Sequence, residues 1–167
     1  SRILSEDDDI AAVIVECNGA HWGTLPLRNP RFLQDLRDVT DRHGVVFIMD
    51  EVITGFRLSR GGAQVRWDLQ PDLTTMAKIV AGGQPGAAVG GKAEIMELMA
   101  FRNDPEWDGV HRVAQAGTYN AQPITAAAGI AMLETIANTD VNARADAMAE
   151  RLKNGLNEAY IRNEVTG

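Results

Sequence analysis

The most constraining feature of the sequence is a run of five apolar residues, Val45–Met49, followed at once by Asp50 and Glu51. A run without polar residues suits a strand that is buried on both faces of a parallel sheet. A second short segment, Leu73–Ala77, ends at Lys78. Open α/β sheets bind their ligands at the carboxyl ends of such strands. The sequence therefore predicts that a carboxylate and an amine meet at one edge of a sheet.

The segments before this run complete a strand–helix–strand unit. Ala11–Glu16 has the apolar pattern of a short buried strand. Asn29 and Pro30 then precede apolar residues at helical spacing, which predicts a helix that Asn29 caps, that begins at Pro30 and that ends at Gly44. Connections of this kind join parallel strands and are almost always right-handed. The expected fold class is α/β, with a mostly parallel sheet flanked by helices.

An amine and a carboxylate at one crevice suit the chemistry of pyridoxal phosphate. This cofactor needs an amine to form a Schiff base with its aldehyde and a carboxylate to keep its pyridine nitrogen protonated, so that the ring accepts electrons. The amine is nucleophilic in its neutral form, which burial favours. Lys78 and Asp50 are therefore the candidate catalytic and cofactor-binding residues, and we expect Lys78 to lie in a buried site.

Three longer stretches carry a specific resemblance. They read DEVITGFR, PDLTTMAKIVAGG and GAAVGGKAEIME. Together they closely resemble the class III, fold type I, pyridoxal-phosphate-dependent aminotransferases, and within that family the glutamate-1-semialdehyde 2,1-aminomutase branch and its aminotransferase relatives. The spacing from Asp50 to Lys78 is also similar to that of the family. The resemblance implies the large domain of a fold type I enzyme.

The resemblance implies roles for five residues. Lys78 would carry the Schiff base, Asp50 would bind the pyridine nitrogen and Val52 would pack on the face of the ring. Gly117 and Thr118 would approach the cofactor phosphate bound by the other subunit of a homodimer, since an amide and a hydroxyl are suitable phosphate donors. From the residues alone, the same Gly-Thr pair indicates an ordinary turn in which Thr118 caps a helix.

The resemblance covers nearly the whole chain. It implies that residues 1–138 are part of the cofactor-binding large domain and that residues 139–167 are a linking helix and the start of a C-terminal small domain. Members of the family are much longer, so we expect the chain to be a central fragment that is inactive alone. Phe101–Arg112 is longer than the corresponding aminomutase segment and is predicted to be an exposed insertion.

Other interpretations of the same residues remain open. Gly86–Lys92 matches the GxxxxGK spacing of a phosphate loop, and an apolar run before an Asp-Glu pair is typical of nucleotide-hydrolysing enzymes. Ala93, however, stands where such a loop needs a Ser or Thr, and the loop follows the acidic strand instead of preceding it. In a non-catalytic scaffold, an Asp-Glu pair would cap a loop and face solvent, and a lone lysine would be solvated. Within the enzyme class, amino transfer between molecules and amino migration within one molecule are both possible.

The amino-acid composition limits the kinds of binding partner and compartment that the protein can have. The chain has 167 residues, of which 45% are hydrophobic and 23% charged, as in ordinary globular proteins. A net charge of -7 argues against nucleic acid or an anionic membrane as a partner. Three scattered histidines and one cysteine form no metal-binding pattern, and a single cysteine fits a reducing compartment. Composition therefore favours a cytoplasmic protein without a metal, and the resemblance implies an enzyme that acts on a small-molecule amino donor and carbonyl acceptor.

Overall fold

The computed structural model describes residues 2–18, 29 and 31–165, and within them four strands form one sheet in the order β1-β2-β3-β4. The strands are β1 (Ala12–Glu16), β2 (Val46–Glu51), β3 (Leu73–Ala77) and β4 (Ala87–Gly91). The first three strands run parallel, and β4 runs antiparallel to β3. The predicted α/β class, with a mostly parallel sheet and flanking helices, is confirmed.

The helices of the described residues precede, connect and follow these strands. They are α1 (Arg2–Glu6), α2 (Phe32–His43), α3 (Gly62–Arg66), α4 (Ala93–Met96), α5 (Pro123–Asn138) and α6 (Val141–Arg162). Short 3-10 turns cover Lys78–Ala81 and Glu97–Met99, and a π-helical turn covers Trp107–His111. In the part of the chain that the structure describes, no helix is both long enough and apolar enough to cross a membrane.

In the described part of the connection from β1 to β2, the helix begins later than predicted. The helix α2 begins at Phe32, with Arg31 in the N-cap position and no side-chain cap. Asn29 still contributes, because its Oδ1 accepts a hydrogen bond from the Arg31 N–H at 2.9 Å. Pro30 lies outside the described residues. Gly44 ends the helix as predicted, with a φ of 65° that a residue without a side chain adopts at little cost.

One face of the sheet forms the hydrophobic core. Its buried residues are Cys17, Leu33, Phe47, Met49, Ala63 and Leu69. Along β2 the residues Phe47, Met49 and Glu51 are buried, whereas the intervening residues, Asp50 among them, are half-buried. Because successive side chains of a strand point to opposite faces, Asp50 points away from this core. The pleat of β2 thus separates the two neighbouring acids.

Asp72 joins several elements at the amino ends of β2 and β3. Its carboxylate accepts hydrogen bonds from the Phe47 N–H at 2.6 Å and the Arg37 guanidinium at 2.9 Å, and it pairs with the Lys92 ammonium at 2.7 Å. Burial alone raises the pKa of Asp72, but the hydrogen bonds from Lys92, Phe47 and Arg37 outweigh it and hold that pKa below its ordinary value. This ion cluster fastens α2 and the start of β3 together at the edge opposite the predicted site.

The segment with the phosphate-loop spacing is not a loop. Residues Ala87–Gly91 form β4 and pair with β3 along its whole length. The lysine that follows, Lys92, is paired with Asp72. An extended strand does not direct successive N–H groups at a single point, as a phosphate-binding nest does. The structure therefore gives no support to the phosphate-loop interpretation.

The connection between α5 and α6 contains the predicted domain boundary. α5 ends at Asn138 and α6 begins at Val141. The side-chain amide of Asn142 donates hydrogen bonds to the carbonyls of Phe56 and Arg57, at 3.0 and 2.9 Å. The first turn of α6 is thereby tied to the loop that follows β2. The division into a large and a small domain at this point stays a prediction.

Residues 101–112 are largely exposed, as predicted for an insertion. They fold around Trp107, whose indole N–H donates to the Ala100 carbonyl at 2.9 Å. The Arg102 guanidinium lies 3.6 Å from the centroid of the Trp107 ring, and that of Arg112 lies 3.9 Å from the Phe101 ring. Contacts between cations and aromatic faces therefore give this segment a defined conformation.

Candidate active site

The two principal candidates lie at the same edge of the sheet. Asp50 is paired with Thr75 in the parallel ladder between β2 and β3. Lys78 follows the last residue of β3, three residues beyond Thr75. At a rise of about 3.3 Å per residue, the Lys78 backbone lies about 10 Å beyond Asp50 along the strands. The sequence prediction that both residues reach one carboxyl edge agrees with this arrangement.

The Asp50 carboxylate is oriented by two protein donors. Its Oδ1 accepts a hydrogen bond from the Val52 N–H at 3.0 Å and one from the Thr75 hydroxyl at 3.4 Å. Among the residues that the structure describes, no hydrogen bond reaches Oδ2. Within the described residues, the protein therefore holds Oδ1, whereas no protein donor reaches Oδ2.

Lys78 stands at a strained point of the backbone. Its φ is 52°, in the left-handed region that residues with a side chain seldom adopt. Such conformations cost about 1–3 kcal/mol and are concentrated at functional sites, where the surrounding structure maintains them. The residue opens the 3-10 turn Lys78–Ala81 and thus ends β3 abruptly.

Contacts with α5 hold this turn in place. At Gly82, which ends the turn with a φ of 60°, an added Cβ would lie 2.2 Å from the Ala128 carbonyl oxygen of α5. At Gly129 of α5, an added Cβ would lie 2.6 Å from the Val80 carbonyl oxygen. The two glycines let the backbones of the turn and the helix approach closely. This close packing keeps the Lys78 backbone in its strained conformation.

The expectation of a buried Lys78 is not met among the described residues. The side chain of Lys78 is exposed. The reason is its position, because it stands one residue past the end of β3 and beyond the cover that α5 gives to Val80 and Ala81. The amine is accessible to a molecule that binds at the strand ends.

A cleft brings together the other three predicted residues. It has a volume of about 1200 Å³ and is lined mainly by apolar side chains, with Val52 near one strand end and Gly117 and Thr118 on a later loop. Thr75 and Val80 also line this cleft. Asp50 adjoins the cleft through its bonds to Val52 and Thr75, and Lys78 lies between the lining residues Thr75 and Val80 in the sequence. Val52, Gly117 and Thr118 therefore line one open space, which Asp50 adjoins through Val52 and Thr75.

Gly117 and Thr118 form the turn that the sequence predicts, without the predicted cap. The Asn120 N–H donates to the Gly117 carbonyl at 3.0 Å, which closes a turn. The next helix, α5, begins at Pro123 and has Gln122 in its N-cap position. The alternative in which Thr118 caps a helix is therefore wrong, because the turn separates it from α5. The Thr118 side chain is exposed at the cleft.

Sequence reasoning missed the environment of Glu51. A solvent-facing strand-end pair is one expectation for Asp50-Glu51, yet Glu51 is only 1% exposed. Its Oε2 accepts hydrogen bonds from the Ala63 N–H at 2.6 Å and the Thr54 hydroxyl at 3.3 Å, and its Oε1 accepts one from the Gln64 side-chain amide at 3.3 Å. The one available signal in the sequence is the Gly-Gly pair just before Ala63, which marks a tight turn.

The family is decided by a match over nearly the whole chain. The model of the class III aminotransferase family matches residues 2–167. This chain belongs to the class III aminotransferase family. The resemblance found in its sequence motifs is thereby confirmed.

Two similar curated proteins are aminomutases. This class III chain is 43% identical over 149 residues to glutamate-1-semialdehyde 2,1-aminomutase 2 of Brevibacillus brevis, which covers 89% of this chain and 33% of that protein. It is 45% identical over 155 residues to glutamate-1-semialdehyde 2,1-aminomutase of Desulforudis audaxviator, covering 93% of this chain and 34% of that protein. The chain therefore spans about one third of the length of the curated relatives it matches.

Similar solved structures are aminotransferases. An omega-transaminase from Sphaerobacter thermophilus superposes with a TM-score of 0.80 at 38% identity, over 96% of this chain and 35% of that one. A transaminase with PLP bound superposes with a TM-score of 0.80 at 28% identity, over 98% of this chain and 37% of that one. The fold of this class III chain is thus the fold type I arrangement that its motifs predict.

Proposed function

We propose that the intact protein uses pyridoxal 5'-phosphate to move an amino group between a small amino compound and a small carbonyl compound. The observation that carries this proposal is the placement of Asp50 and Lys78 at the carboxyl ends of two adjacent parallel strands, β2 and β3. Membership of the class III family supports the cofactor.

The donor set of this chain fits the cofactor. Oδ2 of Asp50 is available to accept a hydrogen bond from a protonated ring nitrogen, because Oδ1 already holds the two protein donors. The exposed Lys78 offers a primary amine, and Thr118 offers an uncharged hydroxyl at the adjoining cleft. These are the three kinds of group that a protonated nitrogen, an aldehyde and a phosphate need.

Asp50 and Lys78 have separate chemical roles in this proposal. The bound cofactor supplies an electron sink that stabilises negative charge developing on the substrate carbon. Asp50 keeps the ring nitrogen protonated through a charge-assisted hydrogen bond. Lys78 supplies the amine that attaches the cofactor to the chain. Its Nζ would take a proton from the substrate carbon and return one.

The remaining predicted residues have binding roles in this proposal. Val52 packs against one face of the ring, and its position beside Asp50 in the cleft supports that role. Gly117 and Thr118 contact the phosphate held by the second subunit of a homodimer. Their exposure on a turn, with no helix to cap, leaves the Thr118 hydroxyl accessible to such a partner.

A second candidate function is amino migration within one molecule. The specific observation in its favour is that the curated relatives at 43% and 45% identity are glutamate-1-semialdehyde 2,1-aminomutases. The same residues would serve both reactions, since each moves a proton at a carbon next to nitrogen. The segment 101–112, which is longer than the aminomutase pattern implies, and the similar solved transaminases favour transfer between molecules.

A donor screen on the intact protein tests both candidates. We expect glutamate or alanine to convert the bound cofactor to its amine form, with release of the matching keto acid and change of the visible absorbance. Conversion of glutamate-1-semialdehyde without any added acceptor would establish migration instead. A protein that binds no cofactor at all would contradict both and would favour a non-catalytic scaffold.

The same proposal includes the domain organisation, the partners and the cellular compartment of the enzyme. Residues 1–138 form part of the large domain and residues 139–167 lead into the small domain, with the break between α5 and α6 as its structural counterpart. The substrates are small molecules, and the protein acts in the cytoplasm, without nucleic acid, membrane or metal as a partner. The net charge of -7 supports the exclusion of polyanionic partners.

A further inference from the structure

We propose that Glu51 is a positioning residue for the cofactor site and acts through Asp50; the inference rests on the proposed function. Glu51 is 1% exposed and points to the face of the sheet opposite Asp50. It is therefore screened from any molecule that binds on the Asp50 face. Glu51 therefore makes no direct contact with a cofactor on that face, and we expect its effect to pass through the residues that it holds.

Glu51 holds both ends of the loop that follows β2. At the near end, its backbone carbonyl accepts a hydrogen bond from the Gly55 N–H at 2.9 Å, and its carboxyl group accepts one from the Thr54 hydroxyl at 3.3 Å. At the far end, the carboxyl group accepts the Ala63 N–H at 2.6 Å and the Gln64 side-chain amide at 3.3 Å. Glu51 thus links both ends of the loop 52–61 to the end of β2.

This loop begins with the residue that orients Asp50. Val52 stands between Glu51, the last residue of β2, and Thr54, which the Glu51 carboxyl group holds. Its N–H donates to Asp50 Oδ1 at 3.0 Å. If the loop loosened, that N–H would turn away, and the Asp50 carboxylate would rotate about its side-chain bonds. The oxygen offered to the ring nitrogen would then lose its fixed direction.

The chain is shaped closely around this carboxyl group. Gly62 has a φ of 67°, and a Cβ added there would lie 2.3 Å from Glu51 Oε2. Gln64 also donates to the Thr74 hydroxyl at 3.0 Å, which joins the cluster to β3. A buried carboxyl group that accepts this many hydrogen bonds has a structural role in the surrounding loop. A solvated strand-end residue would show none of these features.

The test compares variants of the intact, cofactor-loaded protein. Glu51→Ala leaves the buried Ala63 N–H without an acceptor. We expect it to weaken cofactor affinity about five- to tenfold. We also expect it to shift the pH titration of the visible cofactor absorbance in the same direction as Asp50→Asn. Glu51→Gln keeps the shape, and rotation of the Gln64 amide satisfies its new N–H, so affinity should stay within about twofold.

Controls separate positioning from stability. Thr40→Val removes another fully buried polar group, on α2, whose hydroxyl donates to the Leu36 and Arg37 carbonyls. It should lower the melting temperature without moving the absorbance titration. In an Asp50→Asn background, Glu51→Ala should add less than about twofold, because its route to the cofactor is already removed.

The possible negative results distinguish the positioning role of Glu51 from the proposed function. A folded Glu51→Ala protein that titrates like wild type, or whose effect multiplies fully with that of Asp50→Asn, overturns the positioning role. If Glu51→Ala does not fold, Gln64→Leu replaces it, with a smaller shift in the same direction expected and an unchanged titration overturning the role. A wild-type protein without a cofactor absorbance, or an Asp50→Asn protein with an unchanged one, refutes the proposed function instead.

Discussion

Asp50 and Glu51 are neighbours on β2, yet their carboxyl groups lie on opposite faces of the sheet and have different partners. Asp50 is half-buried and bonded to Val52 and Thr75, which line the cleft. Glu51 is buried, and its carboxyl group accepts a hydrogen bond from the Ala63 N–H. Because of the pleat, Asp50 faces the side where we propose that the cofactor binds, and Glu51 faces the core.

Replacing Lys78 should abolish covalent attachment of the cofactor. In the intact protein, Lys78→Ala removes the amine, so we expect no borohydride-reducible link and nearly complete loss of turnover. Lys92→Ala is the matched control, since Lys92 is paired with Asp72 at the other edge of the sheet and should keep the link. Mass spectrometry of the reduced peptides checks both. A reducible adduct on a different lysine would contradict the assignment.

Replacing Asp50 by its amide should slow the reaction while preserving the fold. Asp50→Asn keeps the shape and can still accept the Val52 N–H, but it lacks the negative charge that stabilises a protonated ring nitrogen. A hydrogen bond to a charged group contributes about 1.5–3 kcal/mol, which corresponds to about a ten- to hundredfold loss of rate. Single-turnover kinetics and circular dichroism measure the two effects. An unchanged rate would show that this carboxylate has another role.

The ion cluster around Asp72 should make the free energy of unfolding depend on pH in the acidic range. Because the pKa of Asp72 is lowered in the folded protein, its contribution is complete above the unfolded pKa, near 4, and is lost as the pH falls through the lower folded value. Asp72→Asn leaves the Arg37 guanidinium without its buried partner, and we expect a loss of about 3 kcal/mol at neutral pH. The variant should also show a shallower fall in unfolding free energy between about pH 5 and pH 3.

The control for this prediction is another acid whose pKa a lysine lowers. Glu150 is bonded to Lys153 at 2.6 Å, but both side chains are largely exposed. Glu150→Gln should leave the unfolding free energy unchanged within error, because solvent screens an exposed pair. Equal effects of the two substitutions in urea titrations would contradict the importance of burial at Asp72.

Cys17 should be protected from alkylation in the native protein. Burial raises the pKa of its thiol; the Thr54 hydrogen bond opposes this, and the nearby Glu51 carboxyl group adds to it. The thiolate is the reactive form, so iodoacetamide near pH 8 should label Cys17 at least about tenfold more slowly in the native than in the denatured protein. Peptide mass spectrometry reads the label, and the denatured sample is the control. Equal labelling rates would contradict a buried, protonated thiol.

The sequence by itself predicted the strands β1, β2 and β3 and the position of Asp50 and Lys78 at one edge of the sheet. A short apolar run between turn residues favours a strand, as at β1 and β2, although β1 has no buried residue in the structure. Asp50 and Lys78 are tied to strand ends by adjacent residues. Gly44 likewise ends α2 by its own backbone freedom. These features depend on interactions among neighbours in the chain, so a local pattern is enough to predict them.

The tertiary structure alone decided which face each acid takes and what surrounds it. The bond from Thr75 to Asp50 depends on the register between β2 and β3, and the burial of Glu51 depends on Ala63, twelve residues away. The exposure of Lys78 depends on where α5 stops covering the turn. Such contacts join residues distant in the chain, and their geometry is set only when the elements pack together.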